Sequence, residues 1–191
     1  MAPANPAANT AAIIDPNLTW VPLEKRLAEE TDPALRRNLE TIVTHMKSEA
    51  HGDLDGLMGT LAPEPVYRLG PPDNERLHPR GTEGIRAYYS AFVASGATQL
   101  VHEIDRLAVD RHAVLTDGVM KMAYPGKALA AMGIDIDDQD AYYLYEVRMA
   151  IVWVMDDEGR VIGEESYQDR NGFDGIAGRK LAPSDIAPLR A

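Results

Sequence analysis

Cysteine is absent from the 191 residues of this sequence. The chain therefore cannot form a disulfide, use a thiol as a nucleophile or bind a metal through sulfur. Basic residues are in the minority, because 19 lysines and arginines face 30 aspartates and glutamates and leave a formal net charge of −11. That surplus repels the phosphates of nucleic acids and anionic membranes, so we expect neither as a partner. A neutral or cationic small molecule and another protein are the partners that this charge leaves open.

Long apolar runs are also missing. No stretch approaches the roughly 20 apolar residues that a membrane-spanning helix needs. The first residues, MAPANPAANTAAIIDPN, lack the basic start and the apolar segment of a signal peptide, so we expect a cytoplasmic protein. Hydrophobic residues make up 45% of the chain, which is enough for one sizeable core.

The stretch HGDLDGLMGTLAPEPVYRLGPP, residues 51–72, sets the order of the first half. Apolar residues at helical spacing predict a long helix over 35–50, and Gly52 can take the left-handed conformation that closes it. An aspartate can cap a short second helix, two prolines stop that helix, and a strand follows over 66–69.

The second half is rich in strands. After a third helix over 81–96, alternating patterns predict a hairpin, a long strand and a last strand. Helices followed mostly by strands indicate an α+β fold, with helices on one face of a curved antiparallel sheet. The predicted strands cover 99–107, 113–124, 142–155 and 161–169.

We expect one main domain with extensions on both sides. The domain spans 35–170 and contains an irregular, acidic insertion over 125–140. An arm rich in Ala, Pro and Asn precedes it over 1–34, and a Gly- and Pro-containing extension follows over 171–191.

Three segments resemble the nuclear transport factor 2-like superfamily, in particular its SnoaL-like and ketosteroid-isomerase-like members. They are HGDLDGL at 51–57 leading to Tyr67, RGTEGIRAYY at 80–89, and GRVI at 159–162 leading to YQD at 167–169. The resemblance implies a curved sheet wrapped around three helices from the N-terminal half, forming a cone-shaped cavity. It also implies proton transfer on hydrophobic substrates without a cofactor.

The resemblance further implies positions for site residues. The oxyanion-stabilising tyrosine of ketosteroid isomerases corresponds to His45, and the tyrosine that supports it corresponds to Tyr89. Their general base falls on Leu69 and their second acid near Ile151, neither of which can ionise. We therefore expect no steroid isomerisation.

SnoaL-like cyclases carry an acid/base aspartate near the end of the last strand, and Asp169 has that place here. A one-residue shift of strand register would turn Gln168 inward instead. His45 could also be a packed structural histidine, and Asp169 could pair with a neighbouring arginine. The predicted catalytic residues are His45, Asp169, Tyr67 and Arg80.

The long strand alternates, and the odd-numbered residues of 142–155 are expected to face the cavity, where aromatic rings offer flat surfaces to an aromatic substrate. Sheet packing or a subunit interface would explain the same residues. The acidic run over 135–140 and the five histidines lack calcium or zinc spacing, so we predict no metal and no cofactor. The predicted substrate-binding residues are Leu69, Tyr89, His102, Tyr145, Trp153 and Tyr167.

These expectations indicate a cofactor-independent lyase acting by general acid/base chemistry on a hydrophobic, aromatic small molecule. Its most concrete form is elimination, or formaldehyde-releasing carbon–carbon cleavage of a lignin-derived aromatic dimer. The alternatives are a SnoaL-like polyketide cyclase, isomerase or dehydratase, and a scaffold that binds a small molecule without catalysis.

We also predict a homo-oligomer, a dimer or trimer, because the long strand is apolar on both faces and one face is free to pack on a second copy. Light scattering at micromolar concentration should give a multiple of the 20.9 kDa chain mass. A monomer mass would contradict the prediction.

Overall fold

The computed structural model describes residues 11–71 and 73–190 and alternates helices and strands as an α+β fold. Residues 1–10, the first part of the predicted N-terminal arm, lie outside the described residues. No helix in that part is long and apolar enough to cross a bilayer. The helices are α1 Val21–Glu29, α2 Pro33–His51, α3 Leu54–Gly59, α4 Gly81–Ser95 and α5 Gly126–Ala131. The strands are β1 Leu61–Arg68, β2 Leu100–Val109, β3 Ala113–Pro125, β4 Tyr142–Met155, β5 Val161–Gln168 and β6 Lys180–Leu181.

Capping residues set the limits of α2 and α3, as the sequence predicts. The Asp32 carboxylate accepts hydrogen bonds from the first free amides of α2, including that of Ala34 at 2.8 Å. Gly52 ends α2 in the left-handed conformation, with φ at 66°. Asp53 then caps α3 by accepting from Gly56 N at 3.0 Å. The break between the two helices turns the chain into β1.

The sheet has the order β1-β5-β4-β3-β2, with the short β6 beside β4. Strands β2 to β5 are antiparallel, as predicted, whereas β1 runs parallel to β5. The 92 residues 69–160 separate these two strands, so no tight turn forces them into antiparallel pairing. The parallel pair places Tyr67 directly beside Glu164.

Strand β1 begins at Leu61, five residues before the predicted start, and it contains Pro63 and Pro65, the two prolines expected to stop the second helix. Proline is tolerated there because β1 is an edge strand and its pairing is interrupted between Leu61 and Val66. Glu64, within that interruption, has a positive φ of 54°. The sequence pattern predicts that these two prolines end the helix, but it does not predict that they belong to a bulged edge strand.

Different parts of the chain pack against the two faces of β4. Its odd-numbered residues, such as Val147 and Trp153, are buried under the helices, as the alternation predicts. On the other face, Ile14 from the arm and Leu181 from the C-terminal segment form a second small cluster with Val101. The chain thus covers one end of its own outer sheet face. The proposed division into three segments stays a prediction.

The sheet bends where β2 is bulged between Ile104 and Arg106, and Gly118 on β3 lies against that bulge. A Cβ atom at Gly118 would lie 2.0 Å from Glu103 O, which is backbone and cannot give way. We predict that Gly118→Ala lowers the free energy of unfolding by about 1–3 kcal/mol, measured by urea denaturation.

Gly59→Ala is the matched control, because no atom lies within 4 Å of its new Cβ. In a helix this change should leave stability unchanged or raise it by up to about 1 kcal/mol. Equal effects of the two substitutions would contradict the close approach at the bulge.

Candidate active site

A chain of hydrogen bonds crosses the interior between α2 and the sheet. His45, on α2, is only 1% exposed, and its Nδ1 lies 2.8 Å from Thr60 Oγ1. Its Nε2 lies 3.0 Å from the Tyr89 hydroxyl on α4. That hydroxyl is 3.3 Å from the hydroxyl of Tyr67 and 3.3 Å from Oε2 of Glu164. We call these five residues the polar chain.

Each member is positioned by the element that carries it. His45 lies among the buried apolar residues of α2, so the helix directs it into the core. Strand register places Glu164 beside Tyr67 on one side and Trp153 on the other. Thr60 ends α3 at the point where β1 begins. The polar chain therefore joins three helices to the edge of the sheet.

The direction of the hydrogen bonds is set by the Thr60 hydroxyl, which has only one hydrogen to donate. The Thr60 hydroxyl donates to the carbonyl oxygen of Leu57 at 2.6 Å, so toward His45 it can only accept. His45 must then carry its hydrogen on Nδ1 and present a lone pair at Nε2 to the Tyr89 hydroxyl. Burial lowers the pKa of His45 to about 4, which keeps the ring neutral at physiological pH.

Glu164 is the ionisable end of the polar chain. Its side chain is 13% exposed, and burial raises the pKa of its carboxyl to about 7. The single hydroxyl hydrogen of Tyr89 cannot serve His45 and Glu164 together. A protonated Glu164 can donate to the Tyr89 oxygen, whereas an ionised Glu164 competes with His45 for the hydrogen. Loss of a proton from Glu164 therefore weakens the hydrogen bond between the Tyr89 hydroxyl and His45 Nε2.

Glu49 is a second carboxyl in the same interior. It follows His45 by one helical turn on α2, so the two side chains share a helix face. Burial, together with the nearby charge of Glu164, raises the pKa of Glu49 to about 8. Between pH 7 and 8, ionised Glu164 is a base while protonated Glu49 is an acid.

Neutral hydrogen-bond donors surround the two carboxyls. Burial raises the pKa values of Tyr67, Tyr88 and Tyr89 above that of free tyrosine, so all three keep their hydroxyl hydrogens. The indole nitrogen of Trp153 is buried beside Glu164; it has no hydrogen-bond partner at normal distance among the described residues, but its N–H lowers the pKa of the Glu164 carboxyl against the larger effect of burial. It is a donor available to an oxygen atom of a bound molecule.

The structure brings together some of the predicted site residues. His45, Tyr67 and Tyr89 belong to the polar chain, and Trp153 lies beside it. Tyr145 faces the same interior, where its hydroxyl donates to Gln168 Oε1 at 2.8 Å. Their catalytic and binding roles remain predictions.

The register of β5 turns Gln168 inward and Asp169 outward, which is the alternative left open by the sequence. Gln168 pairs with Met149, an inward residue of β4. The Asp169 carboxylate accepts from Arg148 N at 3.1 Å and pairs with Arg170 at 3.3 Å. Its side chain is 45% exposed. Asp169 and His45 therefore lie apart in the structure, and the catalytic role of Asp169 stays a prediction.

Other predicted residues also lie apart from the polar chain. Arg80 is exposed just before α4, and Tyr167 is 59% exposed on the outer face, where its hydroxyl donates to Glu165 at 2.6 Å. Leu69 is partly buried at the edge of the core. His102 is buried on β2, with Nδ1 3.5 Å from Thr116 Oγ1. Burial lowers the pKa of His102 to about 4.

Two of the cavities that open at the surface of the described residues are wide enough for a small molecule, and neither of these two is lined by the polar chain. A cavity of about 630 Å³ lies between the C-terminal segment and α2, with Ala50 and Leu181 in its wall. A larger one of about 1420 Å³, which we call the mouth groove, reaches the inward face of β5. Its lining residues include Arg68, Leu77, Arg80, Ser166, Gln168, Arg170 and Phe173.

Sequence reasoning missed Glu164 and Glu49. Glu164 lies four residues before Gln168 and therefore shares its face of the strand, which is a readable signal once Gln168 is inward. Glu49 stands four residues after His45, the spacing of neighbours on one helix face.

Comparison with known proteins agrees with this architecture. The sequence profile of the SnoaL-like domain family matches residues 42–163, more than half of the chain. The chain belongs to the SnoaL-like domain family. A search of curated proteins found no match.

Solved structures of this family's type share the fold at low identity. A protein named as a SnoaL-like polyketide cyclase from Shewanella putrefaciens CN-32 gives a TM-score of 0.61 at 12% identity, over 82% of this chain and 94% of its own. One from Shewanella denitrificans OS-217 gives 0.59 at 13%, over 74% and 96%. The epoxide hydrolase/cyclase-like enzyme SalBIII, described in pyran ring formation in the polyether salinomycin, gives 0.52 at 12%, over 70% and 91%.

The raised pKa of Glu164 makes a prediction about stability. Between the ordinary glutamate value and about 7, the folded state holds a proton that the unfolded state has released, so stability falls as pH rises through that window. Glu164→Gln removes this loss. The free energy of unfolding of the variant, relative to wild type, should increase by about 2–3 kcal/mol between pH 5 and pH 8 in urea titrations.

Glu165→Gln is the matched control on the same strand. Hydrogen bonds from Tyr167 and Arg68 hold the pKa of Glu165 below its usual range, so this carboxyl is ionised in both states from pH 5 to pH 8. Its difference from wild type should stay constant over that range. A constant difference for Glu164→Gln as well would contradict the raised pKa.

Proposed function

We propose that this SnoaL-like protein is a cofactor-independent lyase that uses Glu164 as general base and Glu49 as general acid on a hydrophobic aromatic molecule. The supporting observation is the pair of interior carboxyls with pKa values of about 7 and 8. Two groups of opposite protonation state in one low-dielectric interior are the arrangement that acid/base catalysis requires near neutral pH.

The polar chain supplies stabilisation of developing negative charge. In this proposal the hydroxyl of Tyr67 and the Nε1 hydrogen of Trp153 bind an oxygen of the substrate as it gains charge. His45 acts through Tyr89 as a positioning residue, since its Nε2 accepts from that hydroxyl at 3.0 Å.

Aromatic residues support an aromatic substrate. The ring centroids of Tyr124, Tyr145 and Phe173 lie 5.0 to 5.8 Å from one another. Tyr145 also contacts Gln168, and Phe173 lines the mouth groove, so these rings lie at one end of that groove. Edge and face contacts of this kind favour flat, apolar ligands.

The most concrete reaction is cleavage of a diaryl propane-1,3-diol that carries a para-phenol. Glu49 protonates the benzylic hydroxyl, which leaves as water while the para-phenol releases its proton to solvent, and the product is a quinone methide. Glu164 removes the proton of the primary hydroxyl on the neighbouring carbon's substituent, and formaldehyde leaves as the carbon–carbon bond breaks. The electron pair restores the aromatic ring as a phenolate, which takes a proton from solvent. The substrate equals a stilbene plus water plus formaldehyde, so the balance needs no oxidant or reductant.

A cyclase, isomerase or dehydratase is the second candidate. The fold similarity to SalBIII and to proteins named as polyketide cyclases favours it, and the same base and acid would serve an enolising substrate. The two candidates differ in product, because only the lyase releases formaldehyde.

We predict the effects of three substitutions on formaldehyde release from diaryl propanediols. Glu164→Gln should lower kcat by about 10²–10⁴-fold, because an amide cannot accept the proton. His45→Ala should reduce kcat less, by about tenfold. Glu165→Gln, which changes a carboxyl on the opposite face of β5 from Glu164, should stay within about threefold of wild type.

The pH profile tests the assignment of roles. The rate should rise with pH as Glu164 loses its proton near 7 and fall as Glu49 loses its proton near 8. Glu49→Gln should remove the falling limb. If Glu164→Gln kept wild-type turnover of a substrate that the protein converts, the proposed base would be wrong.

A further inference from the structure

We propose that the cavity of about 630 Å³ between the C-terminal segment and α2 binds an uncharged, mostly apolar small molecule that carries a hydrogen-bonding group. We call it the tail cavity. No residue of the polar chain lines it, so this inference concerns a second site and does not rest on the proposed function. Half of its lining residues come from 180–189, beyond the matched family region 42–163.

The tail cavity has the size and the walls of a small-molecule site. Its volume falls within the roughly 300–1,000 Å³ of known ligand pockets. Most of its lining residues are apolar, among them Leu181, Ile186 and Leu189. Water in such a cavity finds few hydrogen-bond partners on the walls, so its replacement by an apolar molecule is favourable.

Short side chains keep the tail cavity open. Ala50 on α2, Ala141 before β4 and Ala187 in the C-terminal segment all line it. Protein interiors pack at a density that leaves few voids larger than a water molecule. The space bounded by these alanines is much larger than that, so it gives room to a ligand.

Hydrogen bonds hold the C-terminal wall of the tail cavity in place. Ile14 N donates to Asp185 O at 2.9 Å, and Ala187 N donates to Ile14 O at 2.8 Å. Arg190 N donates to Asn17 Oδ1 at 2.8 Å. A site whose walls are fixed in advance loses little conformational entropy when a ligand binds.

The charged groups that line the tail cavity already have partners. Lys180 Nζ lies 2.9 Å from Asp138 Oδ2, and Asp140 Oδ1 lies 2.8 Å from Lys127 Nζ. An ionised ligand would leave water without meeting an unpaired charge on these walls, which is costly in free energy. The pairing therefore favours an uncharged ligand.

Two adjacent residues can form hydrogen bonds with such a ligand. Thr98 and Gln99 line the tail cavity, and their side chains make no hydrogen bond with any residue in 11–71 or 73–190. The hydroxyl and the amide can each donate and accept. A molecule with one amine, hydroxyl or carbonyl group in an apolar frame matches both kinds of wall.

The test compares the uncharged N-phenyl-1-naphthylamine with its sulfonated analogue 8-anilino-1-naphthalenesulfonate, by fluorescence titration on the full chain. The uncharged probe should bind saturably with a Kd below about 50 µM. The sulfonate should bind at least about tenfold more weakly, because no unpaired positive charge meets it in the cavity. Absence of saturable binding by the uncharged probe, or equal binding of the two probes, would overturn the proposal.

Substitutions that fill the tail cavity show where the probe binds. Ala187→Phe and Ala182→Phe should each raise the Kd of the uncharged probe at least about tenfold, because the added ring takes up the space. Ala182 is exposed, so its substitution should leave the fold intact even where Ala187→Phe disturbs packing.

Ala91→Phe is the matched control, because Ala91 is exposed on α4 and does not line the tail cavity. Leu77→Phe is a second control that adds bulk in the mouth groove instead. Both should leave the Kd within about twofold of wild type. Unchanged binding in the folded cavity-filling variants, or an equal loss in either control, would contradict the assignment of the probe to the tail cavity.

Discussion

The burial of Glu164 against Tyr89 and His45 is the interaction on which the rest of the site depends. A carboxylate in water has no reason to hold a proton at neutral pH, but burial raises the pKa of this one to about 7. The Thr60 hydroxyl fixes the hydrogen of His45 on Nδ1, and that choice fixes where the Tyr89 hydroxyl points. Ionisation of Glu164 therefore changes a defined series of hydrogen bonds, from Glu164 to Tyr89 and from Tyr89 to His45.

The fold supplies this arrangement by joining distant parts of the chain. Helix α2 brings His45 and Glu49 to the interior, and the parallel pairing of β1 with β5 sets Tyr67 beside Glu164. The segments before and after the matched residues 42–163 do not contribute Ile14 or Leu181 to the site. These two residues instead cover one end of the outer sheet face. This covering leaves less outer surface for the predicted homo-oligomer, which remains to be measured.

Local signals in the sequence were sufficient for most elements. The helix break at Gly52 and the whole of β4 follow from capping residues and from alternation, which act over a few residues. The site needed long-range information. Whether Gln168 or Asp169 faces inward depends on the register of β5 against β4, and the proximity of Glu164 to His45 depends on β1 pairing in parallel. No pattern within a single segment encodes either relation.

The central claim is that Glu164 titrates near neutral pH inside the protein. The most direct measurement is a carbon-13 NMR titration of glutamate-labelled protein, with the Glu164→Gln variant identifying the carboxyl resonance that disappears. We predict a midpoint near pH 7 for that resonance, with a second, higher midpoint for Glu49. A midpoint between about 4 and 5 for Glu164, the range of an exposed glutamate, would contradict the account.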